Sequence, residues 1–387
     1  MLNRVLGFRA GESFGEILRR NRGMGPGFDL LRILLASLLF LGHCRWQIGE
    51  PSLGYASGSP AAAQWIGITK PLKLAIVPAF FALSGFLVMA SAFRLRAVST
   101  FLAHRFLRIF PALVVEVLLS AFILGPAFTR LSLAEYFSND TFFRYFGNMI
   151  GWISFKLPGV FENNPVKEIV NINLWTLPSE FDCYFITALL LLTGAVYNRK
   201  MFTIGFIIAT LGLATVHFLT SWSNPNGPYP AHVITYYFFA GVLAYHYQDR
   251  VPALFSLFIV CCVLSYVAMT FDQLIYVAPL AITYCTVFVG VISVPKFKVI
   301  SSGDYSYGMY LYGFPITQAY IYMFPRLTSH FALLVIVAWV TTGLFAAFSW
   351  HAIEKRCLAL KKNLPSRLFP VPIRPLSNPM IQPSGTE

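Results

Sequence analysis

The sequence predicts an all-α polytopic membrane protein with about ten transmembrane helices and both termini in the cytoplasm. Three observations carry this. Of the 387 residues, 57% are hydrophobic and only 12% are charged, roughly half the charged fraction of a soluble domain. Apolar segments of spanning length recur along the whole chain, and no soluble fold of this size buries that much apolar surface. The basic residues gather in alternate loops, as cytoplasmic loops of membrane proteins do.

The spans fall at roughly 28–46, 72–91, 111–128, 174–196, 202–220, 232–248, 252–269, 274–293, 304–324 and 331–350. The apolar stretch 142–155 is shorter and contains Arg144. Its length suits an interfacial or re-entrant segment better than a further span. About 20 of the 29 basic residues lie on one side of this arrangement, which makes that side cytoplasmic. They include Arg19 and Arg20 before the first span, Arg94, Arg105 and Arg108 after the second, Arg199, Lys200, Arg250, Lys296 and Lys298 in later loops, and Lys355, Arg356, Lys361 and Lys362 after the last. The intervening loop SWSNPNGPYPA has no Lys or Arg. The same asymmetry explains the net charge of +13 without a nucleic-acid partner.

Residues 1–27 form a polar, Arg-rich cytoplasmic segment without the apolar core of a secretory signal. Residues 28–355 form one membrane domain, and 356–387 a cytoplasmic tail whose Pro-rich end is expected to lack fixed structure. The six cysteines show no zinc-ligand spacing and read as packing residues; no metal site is expected. No internal repeat argues for a transporter.

An ionisable residue inside a span is expensive, so it is a functional candidate. The first span, FDLLRILLASLLFLGHCRW, contains Asp29, Arg32 and His43. Arg32 and His43 are 11 positions apart, close to three helical turns, so they share one face about 16 Å apart along the axis. Asp29 lies one turn below Arg32 and can pair with it. Alternatively Arg32 and His43 snorkel to opposite headgroup layers.

Ser84 and Gly85 make a small-residue step in AFFALSGFLVMAS, which suits either close helix packing or a ligand. Arg105 and Arg108 in FLAHRFLRIFPAL share a helix face. They read either as a basic loop on anionic lipid or as a bidentate phosphate clamp. NLWTLPSEFDCYF brings Trp175, Glu180 and Asp182 to a span entry. An aromatic belt accounts for Trp175. Glu180 is suited to orienting an imidazole, holding a sugar hydroxyl or pairing with an arginine. Glu116, in the third span, is a weaker instance. GDYSYGMYLYGFPI places Tyr305 and Tyr307 at another span entry, as interfacial anchors or as a sugar-binding lining.

FDLLR with the Arg32-to-His43 spacing, FFALSGFL, RFLRIFPA, LWTLPSEF and DYSYGMYL occur in this order over residues 26–355. Together they resemble the integral-membrane acyltransferase-3 family, multi-span proteins that O-acylate glycans and lipids, often from acyl-CoA. One departure is that the family commonly has a His two residues before the Pro of the last motif, where this chain has Gly313. That leaves His43 as the better candidate base. The extracytoplasmic esterase-like domain that some members carry is not expected here, because the C-terminal tail is too short for it.

The resemblance implies an acyltransferase of the cell inner (plasma) membrane. It would move an acyl group, acetyl by default, from acetyl-CoA or another acyl-CoA to a hydroxyl of a surface or lipid-linked glycan. Arg105, Arg108 and Ser84 would hold the donor. Arg32, His43 and Glu180 would serve catalysis, with His43 as general base, and Asp29, Trp175, Tyr305 and Tyr307 would meet the acceptor. A transporter or exporter of a lipid-linked glycan is the rival reading; it needs polar residues in its spans but no acyl-CoA.

Overall fold

The structure is a computed structural model that describes residues 7–9, 11–50, 60–95, 97–220, 231–271, 274–295 and 303–363. The Pro-rich end of the tail, Lys296, Lys298 and residues 221–230 lie outside these. Among the described residues every regular element is helical.

The first helix, α1 (Phe14–Arg20), belongs to a segment read from sequence as a polar tail. Ser13 and Glu16 close a capping box at its start, which satisfies two otherwise orphaned N–H groups. Phe8, Phe14, Ile17 and Leu18 are buried, and Arg19 pairs with Asp249 at 2.5 Å. The arginines therefore decorate a docked amphipathic helix.

The predicted spans are all helical. They are α2 (Phe28–Gln47), α3 (Pro60–Leu95) and α4 (Val98–Leu119), which runs on through a π-helical turn at Ser120–Leu124 to Phe128. Two short helices, α5 (Leu133–Ser138) and α6 (Asp140–Tyr145), follow. Then come α7 (Leu177–Leu192), α8 (Arg199–Thr220), α9 (Ala231–Tyr247), α10 (Phe255–Thr270), α11 (Ala278–Val291) and α12 (Ser306–Met323). The last, α13 (Phe331–Ser349), continues through a π turn at Trp350–Glu354 to Ala359 and a 3-10 turn at Leu360–Asn363.

Four helical stretches are long and apolar enough to cross a bilayer by length and composition: Gly67–Leu95, Val98–Phe128, Arg199–Leu219 and Phe331–Ala359. Helices α10 and α11 are apolar but shorter. The count of ten spans and the sidedness rest on hydropathy and charge alone. The stretch 142–155 is not a helix of spanning length: α6 gives way to a 3-10 turn at Phe146–Ile150 and then to irregular chain.

Helices α3 and α9 pack backbone against backbone. A methyl group on Gly85 would run into the Phe238 carbonyl, and one on Gly241 into that of Ala82. Gly85 thus does what small residues do at membrane helix contacts. Across the bundle, the segment 129–176, irregular apart from α5, α6 and short 3-10 turns, tucks against α12. Asn164 Nδ2 donates to the Gln318 carbonyl and to its side-chain Oε1, both at 2.9 Å. Gln318 Nε2 in turn donates to the carbonyls of Val166 (2.9 Å) and Ile169 (2.8 Å). Buried chain without regular structure is tolerated when side-chain amides replace its missing ladder.

Candidate functional site

Helix α2 carries the first two candidates, one meeting the residue just ahead of α12 and the other α12 itself. Arg32 pairs with Asp304, just before α12, at 3.2 Å. It also lies 3.5 Å from Asp29, whose side chain is largely exposed. His43 is 8% exposed, and its ring meets the edge of Phe314 with centroids 5.7 Å apart. It makes no hydrogen bond among the described residues.

His43 lines a pocket walled by Ala36, Leu39, Phe40, Phe80, Met309 and Phe314, with Asn173 and Tyr310 as the other polar members. Neither Asn173 nor Tyr310 stood out from the sequence. Asn173 belongs to a 3-10 turn, Ile172–Thr176, that leads into α7. Its side-chain N–H donates to the Tyr310 carbonyl at 2.6 Å, and its own carbonyl accepts from the Tyr310 hydroxyl. Thr176 also bonds that hydroxyl, at 2.7 Å. Behind this turn Asn171 Nδ2 donates to Glu116 Oε1 (2.8 Å) and to the Leu311 carbonyl (2.9 Å). Ser120 Oγ, at the start of the π turn, donates to the same Glu116 oxygen at 3.0 Å. Glu116 therefore helps hold the wall of the His43 pocket.

Toward the other end of α4 stands a charged cluster. Arg108 pairs with Asp304 (2.5 Å) and Glu354 (2.8 Å), and its guanidinium lies over the rings of Tyr307 and Trp350. Through Asp304 it is joined to Arg32. Arg105 forms no ion pair among the described residues. It reaches Ser91 Oγ at 3.4 Å, lies over the Phe101 and Tyr184 rings, and leaves its buried Nε unpaired. The two arginines read as one clamp are thus in different states: Arg108 is committed to carboxylates and Arg105 is not.

Lys361, on the final 3-10 turn, stands within electrostatic reach of both arginines. Burial, followed by their like charge, pulls its ammonium down to about 8.

The other candidates scatter between these two centres. Glu180 accepts from the Tyr184 hydroxyl at 2.5 Å and feels the charges of Arg108 and Arg105; no hydrogen bond joins it to His43. Tyr307 donates to the Ile109 carbonyl at 3.1 Å and stacks on Tyr310. The Tyr305 hydroxyl meets His351 Nε2 at 3.2 Å. Trp175 packs against the main core, Ser84 is half-buried on α3, and Asp182 is exposed. No cluster of His, Cys, Asp or Glu among the described residues suits a metal ion.

The fold and the pocket define a polytopic helical membrane protein with an uncommitted imidazole in an apolar interior site. The chain belongs to the acyltransferase domain family of the acyltransferase-3 type, whose profile matches residues 26–350. It is 29% identical over 342 residues to an O-acetyl transferase of Shigella phage Sf6, an alignment that covers 86% of this chain and 95% of that protein. It is 25% identical over 385 residues to nodulation protein 10 of Rhizobium leguminosarum bv. viciae, covering 92% and 100% of the two chains. No solved structure matches it. The protein is therefore a member of an acyltransferase family.

Proposed function

We propose that the protein is an inner-membrane O-acyltransferase. It takes an acyl group, acetyl by default, from cytoplasmic acyl-CoA and places it on a hydroxyl of a surface or lipid-linked glycan at the outer face. The observation that carries this reading is His43, buried with no hydrogen bond among the described residues in a pocket on the same helix as Arg32, whose end of the helix meets the arginine cluster. The family match and the O-acetyl transferase relative support the reaction class. The charge asymmetry of the loops supports ten spans with both termini cytoplasmic.

In this reading Arg105 and Lys361 bind the donor's phosphates. Arg105 makes no ion pair among the described residues and suits a forked contact with phosphate oxygens. The pantetheine arm runs from there along α2, where Arg32 and His43 lie about 16 Å apart, and brings the thioester to the His43 pocket. The imidazole accepts the proton of the glycan hydroxyl as its oxygen attacks the thioester carbonyl. The tetrahedral adduct collapses, the carbon–sulfur bond breaks, and CoA leaves as a thiolate that takes the proton from the imidazolium. The products are the glycan ester and free CoA. Direct transfer is favoured over an acyl-enzyme because no Ser or Cys sits beside a base in the pocket.

The test is acylation of glycan by membranes that contain folded protein. His43→Ala should lower the rate by about 10²–10⁴-fold, the usual share of a general base, while Arg105→Ala should raise the KM for acyl-CoA more than that for the acceptor. Full activity of His43→Ala sinks the mechanism.

A further inference from the structure

In the wall of the His43 pocket, Asn173 is held on three sides. Its side-chain N–H donates to the Tyr310 carbonyl, its backbone N–H donates to Asn171 Oδ1 at 3.2 Å, and its backbone carbonyl accepts from the Tyr310 hydroxyl. The Tyr310 carbonyl can only accept, so the NH2 of Asn173 must face it and the orientation of the amide is settled. What is left is Oδ1. It is buried with no partner, on a residue only 4% exposed that lines the same pocket as His43.

A buried acceptor without a donor costs about 1–3 kcal/mol. Since the rest of the residue is anchored, relaxation does not easily relieve that cost. Such a group in an otherwise satisfied amide is a place where a water, or a ligand that displaces it, completes the hydrogen bonding. The oxygen is an acceptor only, so the ligand must bring an N–H or O–H.

The lining decides which. The pocket offers one free acceptor, one imidazole and walls of Leu, Phe and Met. Sugar rings carry hydroxyls on most of their carbons and would leave several of them unpaired against those walls. The acyl-thioester end of pantetheine has the matching pattern: a short apolar acyl group, a sulfur, two methylenes and then one amide N–H. We propose that Asn173 Oδ1 accepts the hydrogen bond of the cysteamine amide N–H of the acyl donor and so sets the thioester against His43. This rests on the acyl-CoA reading above and names the part of the donor that this pocket recognises.

The experiment uses the purified full chain in nanodiscs with two donors: acetyl-CoA, and an analogue in which the cysteamine amide N–H is replaced by an ester oxygen. Binding and kcat/KM are measured for the wild type, Asn173→Ala and Asn173→Ser. The wild type should prefer acetyl-CoA by about tenfold, as expected when a buried partner is left unpaired. Both variants should treat the two donors alike, with the loss falling on acetyl-CoA. If the wild type transfers acetyl from both donors equally, the inference fails and the acyltransferase reading stands. The same holds if the tenfold preference survives in the variants. If the wild type neither binds acetyl-CoA nor transfers from it, the acyltransferase reading fails as well. Should Asn173→Ala not fold, Asn173→Ser and the wild-type donor comparison decide the matter.

Discussion

Replacing Arg108 separates two roles that its sequence context makes look alike. Its guanidinium is bonded to Asp304 at 2.5 Å and to Glu354 at 2.8 Å, and the Glu354 side chain is only 2% exposed. Arg108→Ala leaves Asp304 with Arg32 at 3.2 Å but strands the Glu354 carboxylate, which then keeps only Ser349 Oγ at 3.1 Å. Breaking a buried pair by removing one partner costs about 3–5 kcal/mol. With about 2 cal/mol/K of unfolding entropy per residue, that lowers the melting temperature by about 4–6 °C. Helices that persist after unfolding in detergent would make the entropy smaller and the shift larger. Arg108→Met combined with Glu354→Gln removes both charges and should recover most of the loss. Arg105→Ala, which breaks no ion pair, should melt close to the wild type while weakening donor binding. The measurements are thermal unfolding in detergent and the KM for acyl-CoA. An Arg108→Ala protein that melts with the wild type yet shows a tenfold higher KM would refute this reasoning, because Arg108 would then be a phosphate ligand whose ion pairs are idle.

Two further outcomes follow from the geometry. Gly85→Val should cost stability beyond the about 1–3 kcal/mol typical of overpacking, because the added atoms meet the Phe238 backbone rather than a side chain that can turn away; a wild-type melting curve would show that α3 and α9 can part freely. Lys361 supplies a pH signature. Its ammonium is lowered from 10.5 to about 8, so its charge is lost as pH rises through 8, and the KM for acyl-CoA should climb there in the wild type but not in Lys361→Met. For stability the sign is opposite. Between pH 8 and 10.5 the unfolded chain holds this proton more tightly, so the cost of the charge is full below 8 and gone by 10.5, and this group makes stability rise with pH across the window. Melting curves over that range should lose this component in Lys361→Met.

What was legible in the sequence is what hydropathy and helical period encode. The predicted segments are helical, and Arg32 and His43 do turn the same way, Arg32 to Asp304 just ahead of α12 and His43 to Phe314 on α12, because 11 residues return a helix to the same face. Lipid exposure hides in the same signal: α8 is as apolar as a core helix yet largely exposed, since bilayer and protein interior select the same side chains. The amphipathic α1 escaped notice because seven residues give too short a run for periodicity to stand out among arginines. The partners of Arg108 could not be read either. Glu354 lies 246 positions away in sequence, and a charge near a span end looks the same whether it faces headgroups or a carboxylate. The least legible part was the irregular segment 129–176. Nothing periodic marks Asn164, Asn171 or Asn173, yet their amides bind it to α12 and finish the pocket.

His43 supplies the one imidazole among the lining residues of the pocket. The resemblance leads one to expect a second histidine at position 313, where Gly313 stands next to Phe314 of the pocket wall. A Cβ on Gly313 would come within 2.9 Å of the Phe40 ring, and Phe40 forms part of the pocket wall three residues before His43. A side chain at this position would therefore have to displace that ring. Asn173 Oδ1, which has no hydrogen-bond partner among the described residues, belongs to the same pocket as His43. On the proposed reading, Asn173 accepts a hydrogen bond from the donor and His43 takes the proton of the acceptor, so orientation and proton transfer would fall to two residues on different elements.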